Sequence, residues 1–81
     1  MPLRPTAIAV EPRPDYCLLI TFDNAEKRVF DVKPYLAGKL FEELRNPVFF
    51  RLAAPAGLSV EWPHGQDICP DELYYNSVPA N

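Results

Sequence analysis

Apolar and polar positions alternate over Thr6–Glu11, with Ile8 and Val10 on one side, which predicts a first strand. Pro12-Arg13-Pro14-Asp15 breaks the pattern with turn-forming residues. Tyr16–Phe22 is then apolar on both faces and rich in aromatic and β-branched types, as in a central strand covered on both sides. Asp23-Asn24-Ala25-Glu26 predicts a second hairpin turn, weaker than an Asn-Gly turn, and Lys27–Asp31 a third strand. Connections this short permit only antiparallel pairing, so the three strands form a meander.

The rhythm changes after Asp31. Asp31–Leu36 reads as one helical turn capped by Asp31 and stopped near Gly38. Leu40, Phe41 and Leu44 give an apolar face to a short helix Leu40–Arg45, and Asn46-Pro47 repeats a helix-start signal. Residues 47–53 fit either a helical turn or a strand. Ala54–Gly57 reads as a turn leading into a strand in which Leu58, Val60 and Trp62 alternate with Ser59 and Glu61, with Trp62 as the buried anchor. Pro63 ends that strand, and His64-Gly65 makes a tight turn with Gly65 at positive φ. Cys69 takes the N-cap position of a helix Pro70–Asn76, with Pro70 first and Asp71 and Glu72 in the opening turn, burying Leu73 and one of two tyrosines. The tail Ser77–Asn81 is expected to fray.

The fold class is therefore α+β: a small, mostly antiparallel sheet with short helices on one face. An N-terminal three-stranded meander is joined by one or two later strands. The expectation is one domain over 1–81, with an ordered core of about 6–76.

Composition supports a packed domain: 48% of the 81 residues are hydrophobic and 12% aromatic, too many for a disordered chain. There is no apolar run of ~18 residues, so no membrane span is expected. Met1–Pro5 has no apolar leader, so the chain is expected to be cytoplasmic, with Cys17 a buried, reduced thiol and Cys69 unpaired. Charge is polarised. Residues 27–51 carry six basic side chains against three acidic ones, whereas residues 52–81 carry four acidic side chains and no Lys or Arg. A net charge of −3 argues against direct nucleic-acid binding and favours a partner with a basic surface.

Candidate chemistry gathers between Glu61 and Tyr74. His64, Asp67 and Cys69 are of ligand-forming types, but their spacing matches no established zinc site, and a fourth ligand would have to be Glu61 or Asp71. Cys69 beside His64 could be written as a thiolate and its base, without an evident orienting group or oxyanion hole. Glu61 and Asp67 could form an acid–base pair. The plainer reading has His64 bonding a backbone carbonyl in its turn, Asp67 accepting from backbone N–H groups of the same loop, and Trp62 and Tyr74 in the core or anchoring a partner.

The chain resembles the bacterial domain-of-unknown-function family numbered 2442. The resemblance is carried by Asp15-Tyr16, Leu18 and Phe22, by Phe30-Asp31-Val32 with Pro34-Tyr35-Leu36, and by Phe41-Glu42-Glu43-Leu44 with Pro47 and Phe50. Its most specific part is Trp62-Pro63-His64-Gly65 followed by Asp67-Ile68-Cys69-Pro70-Asp71-Glu72-Leu73-Tyr74. Asn24-Ala25, in place of a Gly-containing turn, and Cys69, in place of a hydroxylic N-cap, depart from it. The resemblance implies a small stand-alone α+β domain, often encoded beside a second small protein in a toxin–antitoxin-like arrangement, and it implies no catalytic residue. Some members carry a helix-turn-helix, for which no room is expected after Asn76.

Together these readings predict a non-catalytic interaction or regulatory module, antitoxin-like, binding a small basic protein or a second copy of itself. It would use Glu61, Trp62, His64, Gly65, Asp67, Glu72 and Tyr74, with no metal, cofactor, nucleic acid or membrane. The rival is a small hydrolase or metal-dependent enzyme using His64, Asp67 and Cys69.

Overall fold

A computed structural model describes residues 4–80 of the chain. The reading of Met1–Leu3 as lacking an apolar leader, and of Asn81 as part of a fraying tail, lies outside the described residues. The fold is α+β, as expected. Strands β1 (Ala7–Pro12), β2 (Cys17–Phe22) and β3 (Lys27–Asp31) form the antiparallel meander. A separate antiparallel hairpin pairs β4 (Ala54–Ala56) with β5 (Ser59–Glu61). Helices α1 (Pro47–Phe50) and α2 (Pro70–Tyr75) and two 3-10 segments, Lys33–Tyr35 and Lys39–Arg45, complete the layer over the sheet.

The tail does not fray: β6 (Val78–Pro79) adds a fourth strand beside β3, giving the order β1-β2-β3-β6. The reason lies in Arg28, whose guanidinium reaches both the Oγ (2.7 Å) and the backbone carbonyl (2.8 Å) of buried Ser77. Ser77 Oγ in turn donates to the carbonyl of Tyr74 at 2.7 Å, so the end of α2 and the tail are held together.

On β2, Leu18, Ile20 and Phe22 point into the core, while Leu19 and Thr21 on the other face are half-buried. Phe30, Val32, Leu44, Phe50, Val60, Trp62, Ile68 and Leu73 complete that core. In β1 a bulge between Ala7 and Ala9 inserts one residue against β2. Ala7 and Val10 therefore face the core while Ile8 is exposed, against the expectation that Ile8 and Val10 share a side, because one extra residue inverts the alternation.

Lys39–Arg45 is a 3-10 helix, with three residues per turn. Phe41 and Leu44 therefore share the inward face, whereas Leu40, expected beside them, is 67% exposed. Residues 47–50 are helical, with the Asn46 carboxamide accepting from the N–H of Val48 at 3.0 Å as the N-cap signal predicts. Asp31, expected to cap the first 3-10 turn, stands one residue before its N-cap Val32 and accepts from Lys33 N–H at 2.9 Å.

Ala54–Ala56 is a strand rather than a turn. The pairing of Ala56 with Ser59 leaves Gly57-Leu58 as the two-residue loop, with Gly57 at φ +57° as such loops require. Leu58 thus sits in the turn, 53% exposed, and Ser59 takes the buried place expected for it.

Candidate binding face

The face is built outward from Trp62, which is 1% exposed and whose indole N–H donates to the carbonyl of Phe50 at 2.8 Å. Trp62 is a core residue, as its place in the alternation predicts, and its burial leaves it only a minor part of the lining of the groove beside it. It also fixes the base of the loop that follows. Gly65, at φ +94°, donates to the Trp62 carbonyl (3.0 Å), and Trp62 N–H donates to the Gln66 carbonyl (2.8 Å), closing a tight reversal.

Ile68 N–H then donates to the Val60 carbonyl at 3.3 Å, and Glu61 pairs with Asp67 in an isolated antiparallel bridge. Hydrogen bonds from Trp62 and Ile68 bracket this pair instead of joining it. That is the non-hydrogen-bonded register, in which facing side chains stand closest, with Cα atoms ~4.5 Å apart. Two exposed carboxylates are thereby set opposite each other, an arrangement that opposes folding. Among the described residues neither carboxylate forms an ion pair or a side-chain hydrogen bond, so Asp67 does not accept from its own loop as anticipated.

Glu61 lies on the rim of an open groove of about 320 Å³ lined by Leu52, Ala54, Pro55, Ala56, Trp62 and Pro63. Pro55 is tolerated there because β4 is an edge strand, where a missing N–H leaves no ladder bond unmade.

His64 does not bond a backbone carbonyl. Its Nδ1 lies 2.9 and 2.8 Å from the two carboxylate oxygens of Glu43, and its ring packs against Phe49 with centroids 4.9 Å apart. A carboxylate only accepts, so Nδ1 carries the proton and Nε2 is left without a partner among the described residues. Gln66, 5% exposed beneath the loop, donates from Nε2 to the same carboxylate at 2.9 Å. The bond from His64, aided by that from Gln66 and opposed by partial burial, holds the Glu43 carboxyl below its ordinary range. Phe49 and Gln66 have no marker in the sequence, and Glu43 enters it only as part of the Phe41–Leu44 segment, with nothing to link it to His64. Glu43 stands 21 residues from His64 and meets it only through the tertiary fold.

The two remaining candidates sit apart on α2 and already have partners. Glu72 accepts from the Tyr35 hydroxyl at 2.5 Å, and burial together with that carboxylate raises the Tyr35 pKa. Tyr74 donates to Glu26 at 2.7 Å, packs edge-on against Phe22, and lies under the Arg28 guanidinium at 4.8 Å. Asp71 pairs with Arg4 at 2.9 Å. Cys69 is exposed and Cys17 buried, and both thiols are free. Burial, then the nearby Asp15 charge, raises the Cys17 pKa, which suits an inert structural thiol. Among the described residues no group of three or more His, Cys, Asp and Glu side chains is placed to hold a metal ion, so His64, Asp67 and Cys69 are not brought together as ligands. No helix among them is long and apolar enough to cross a membrane.

In comparison with known families, the chain matches the model described as "Protein of unknown function (DUF2442)" over residues 7–79. The chain belongs to the DUF2442 family. That match spans the meander, the Glu61–Asp67 hairpin, α2 and β6, so the whole candidate face lies within the family domain. Neither a curated protein nor a solved structure matches this DUF2442 chain.

Proposed function

We propose that this DUF2442 domain is a non-catalytic interaction module, the antitoxin-like regulatory partner of a small basic protein in the bacterial cytoplasm. The reading rests on the Glu61–Asp67 pair. Two carboxylates that repel each other across a hairpin, one of them (Glu61) lining an apolar groove, are best satisfied by a Lys or Arg side chain from a segment lying in that groove. His64, held rigid by Glu43 and Phe49, flanks the same hairpin and offers Nε2 as a further polar contact. Two unpaired thiols agree with a reducing compartment.

The product of the neighbouring gene is the partner to test. Its association with the wild-type domain should slow as salt rises, because charge steering is screened over about 10 Å at 0.1 M. Glu61→Ala and Asp67→Ala should each slow association. Both should leave the free domain as stable or more stable by about 0.2–1 kcal/mol, since each removes the cross-strand repulsion. An association rate indifferent to salt and to both substitutions would overturn the proposal.

The Glu43–His64 pair favours one rival, a hydrolase in which an oriented imidazole serves as base. His64→Ala separates the two. It abolishes turnover of ester or amide probes if the rival holds, and leaves most of the partner affinity if the module reading holds.

A further inference from the structure

A second site lies at the junction of the β1–β2 turn and α1, built of residues that the binding-face reading does not use. Arg13, Pro14, Tyr16, Pro47, Phe50 and Arg51 enclose a pocket of about 110 Å³. That is room for several water molecules, and so for one carboxylate or phosphate group.

Its construction carries a local backbone cost. Tyr16 adopts φ +64°, the left-handed region that an aromatic residue rarely enters and a glycine would enter freely. The turn keeps a tyrosine there, and its side chain has specific tasks. The ring meets Phe50 edge-on at 5.2 Å and the hydroxyl donates to the carbonyl of Arg45. Tyr16 thus welds the β1–β2 turn to the segment leading into α1 and forms the pocket wall. Pro14 and Pro47 stiffen two further sides.

Two arginines, both exposed to solvent, line this enclosure. Among the described residues, neither Arg13 nor Arg51 has an ion-pair or side-chain hydrogen-bond partner, whereas Arg4 and Arg28 are both paired with carboxylates. Glu11 and Asp15, the acids two residues to either side of Arg13, do not line the pocket. The Asp15 charge acts on Cys17 instead. Two unpaired cations sharing one small pocket repel each other, and an anion between them converts that repulsion into two charge-assisted, fork-shaped contacts.

We propose that the Arg13–Arg51 pocket is an oxyanion-binding site, taking a single carboxylate or phosphate group whose apolar stem rests on Tyr16 and Phe50.

The test is titration of the full chain with inorganic phosphate, and separately with acetate, at constant ionic strength maintained with chloride, followed by amide NMR. Saturable shifts centred on Arg13, Tyr16, Phe50 and Arg51 are expected in at least one arm, and the stronger arm identifies which oxyanion the pocket prefers. Arg13→Ala or Arg51→Ala should weaken binding about tenfold or more. Lys39→Ala, which removes an equally exposed charge away from the pocket, should leave it unchanged. The thermal midpoint should rise with the preferred anion over equal chloride, because a ligand of the folded state alone stabilises it. Shifts that never saturate in either arm, or that fall equally in Lys39→Ala, would overturn the assignment by showing general charge screening.

Discussion

The indole N–H of Trp62 donates to the main-chain carbonyl of Phe50 at 2.8 Å, which ties the hairpin loop to the end of α1 through the centre of the core. Both residues are 1% exposed, and their rings pack at 5.9 Å. This contact connects two segments that have no backbone pairing with each other, so the groove beside Trp62 and the pocket beside Phe50 rest on one support.

Replacing Trp62 therefore tests the architecture as a whole. Trp62→Ala should cost about 3–5 kcal/mol through cavity and lost burial. A chain of 81 residues has a total stability of only roughly 0.05–0.15 kcal/mol per residue. The variant should then be largely unfolded at 37 °C in a urea or thermal melt. Trp62→Phe should retain the fold with a smaller loss of about 1–3 kcal/mol, from the lost indole bond and the space the smaller ring leaves, since the Phe50 carbonyl still accepts from the N–H of Ala53 at 3.3 Å. Wild-type midpoints in both variants would mean that the contact is dispensable.

How far this was legible in the sequence depended on the range of the interactions involved. The meander, the Asn46 cap, the Pro63 stop and the Gly65 turn follow from local period and backbone preference, and all are present. Errors arose where a single residue changed the phase: the bulge at Ile8, the Gly57-Leu58 loop, and the 3-10 winding that turned Leu40 outward. A long-range partner was invisible in principle. Nothing near His64 announces Glu43, nothing near Ser77 announces Arg28, and Arg13 and Arg51 are merely two scattered cations until Tyr16 and Phe50 bring their segments together.

Ala25 offers a substitution that should strengthen the domain. It closes the β2–β3 turn at φ +72°, donating to the Phe22 carbonyl at 2.9 Å, in a conformation that costs an L-residue about 1–2 kcal/mol. Ala25→Gly removes that cost but adds freedom to the unfolded chain, worth about 0.4–1 kcal/mol in the opposite direction. The net should be a gain of about 0.5–1 kcal/mol, or ~2–8 °C in thermal midpoint. A lowered midpoint would show that the turn stores no strain at this position.

The last prediction concerns acid. Glu43 has its carboxyl pKa below the ordinary 4.5, first because His64 bonds to it and then because Gln66 does, with partial burial opposing both. A depressed carboxylate stabilises the fold fully above its unfolded value, and that contribution is lost as pH falls through the folded value. The loss therefore belongs below about pH 4.5, where Glu26, depressed chiefly by its bond from Tyr74, adds to it. Glu43→Gln isolates the effect, because the amide keeps the size and one acceptor but carries no charge to lose. Thermal midpoints of wild type and variant should differ at pH 6 and converge by pH 3. The Glu43 side chain is half exposed, so added salt should shrink the difference at pH 6. A gap between the two proteins that stays constant from pH 6 to pH 3 would mean that the Glu43–His64 contact contributes no charge-dependent stability, and that His64 is held by Phe49 alone.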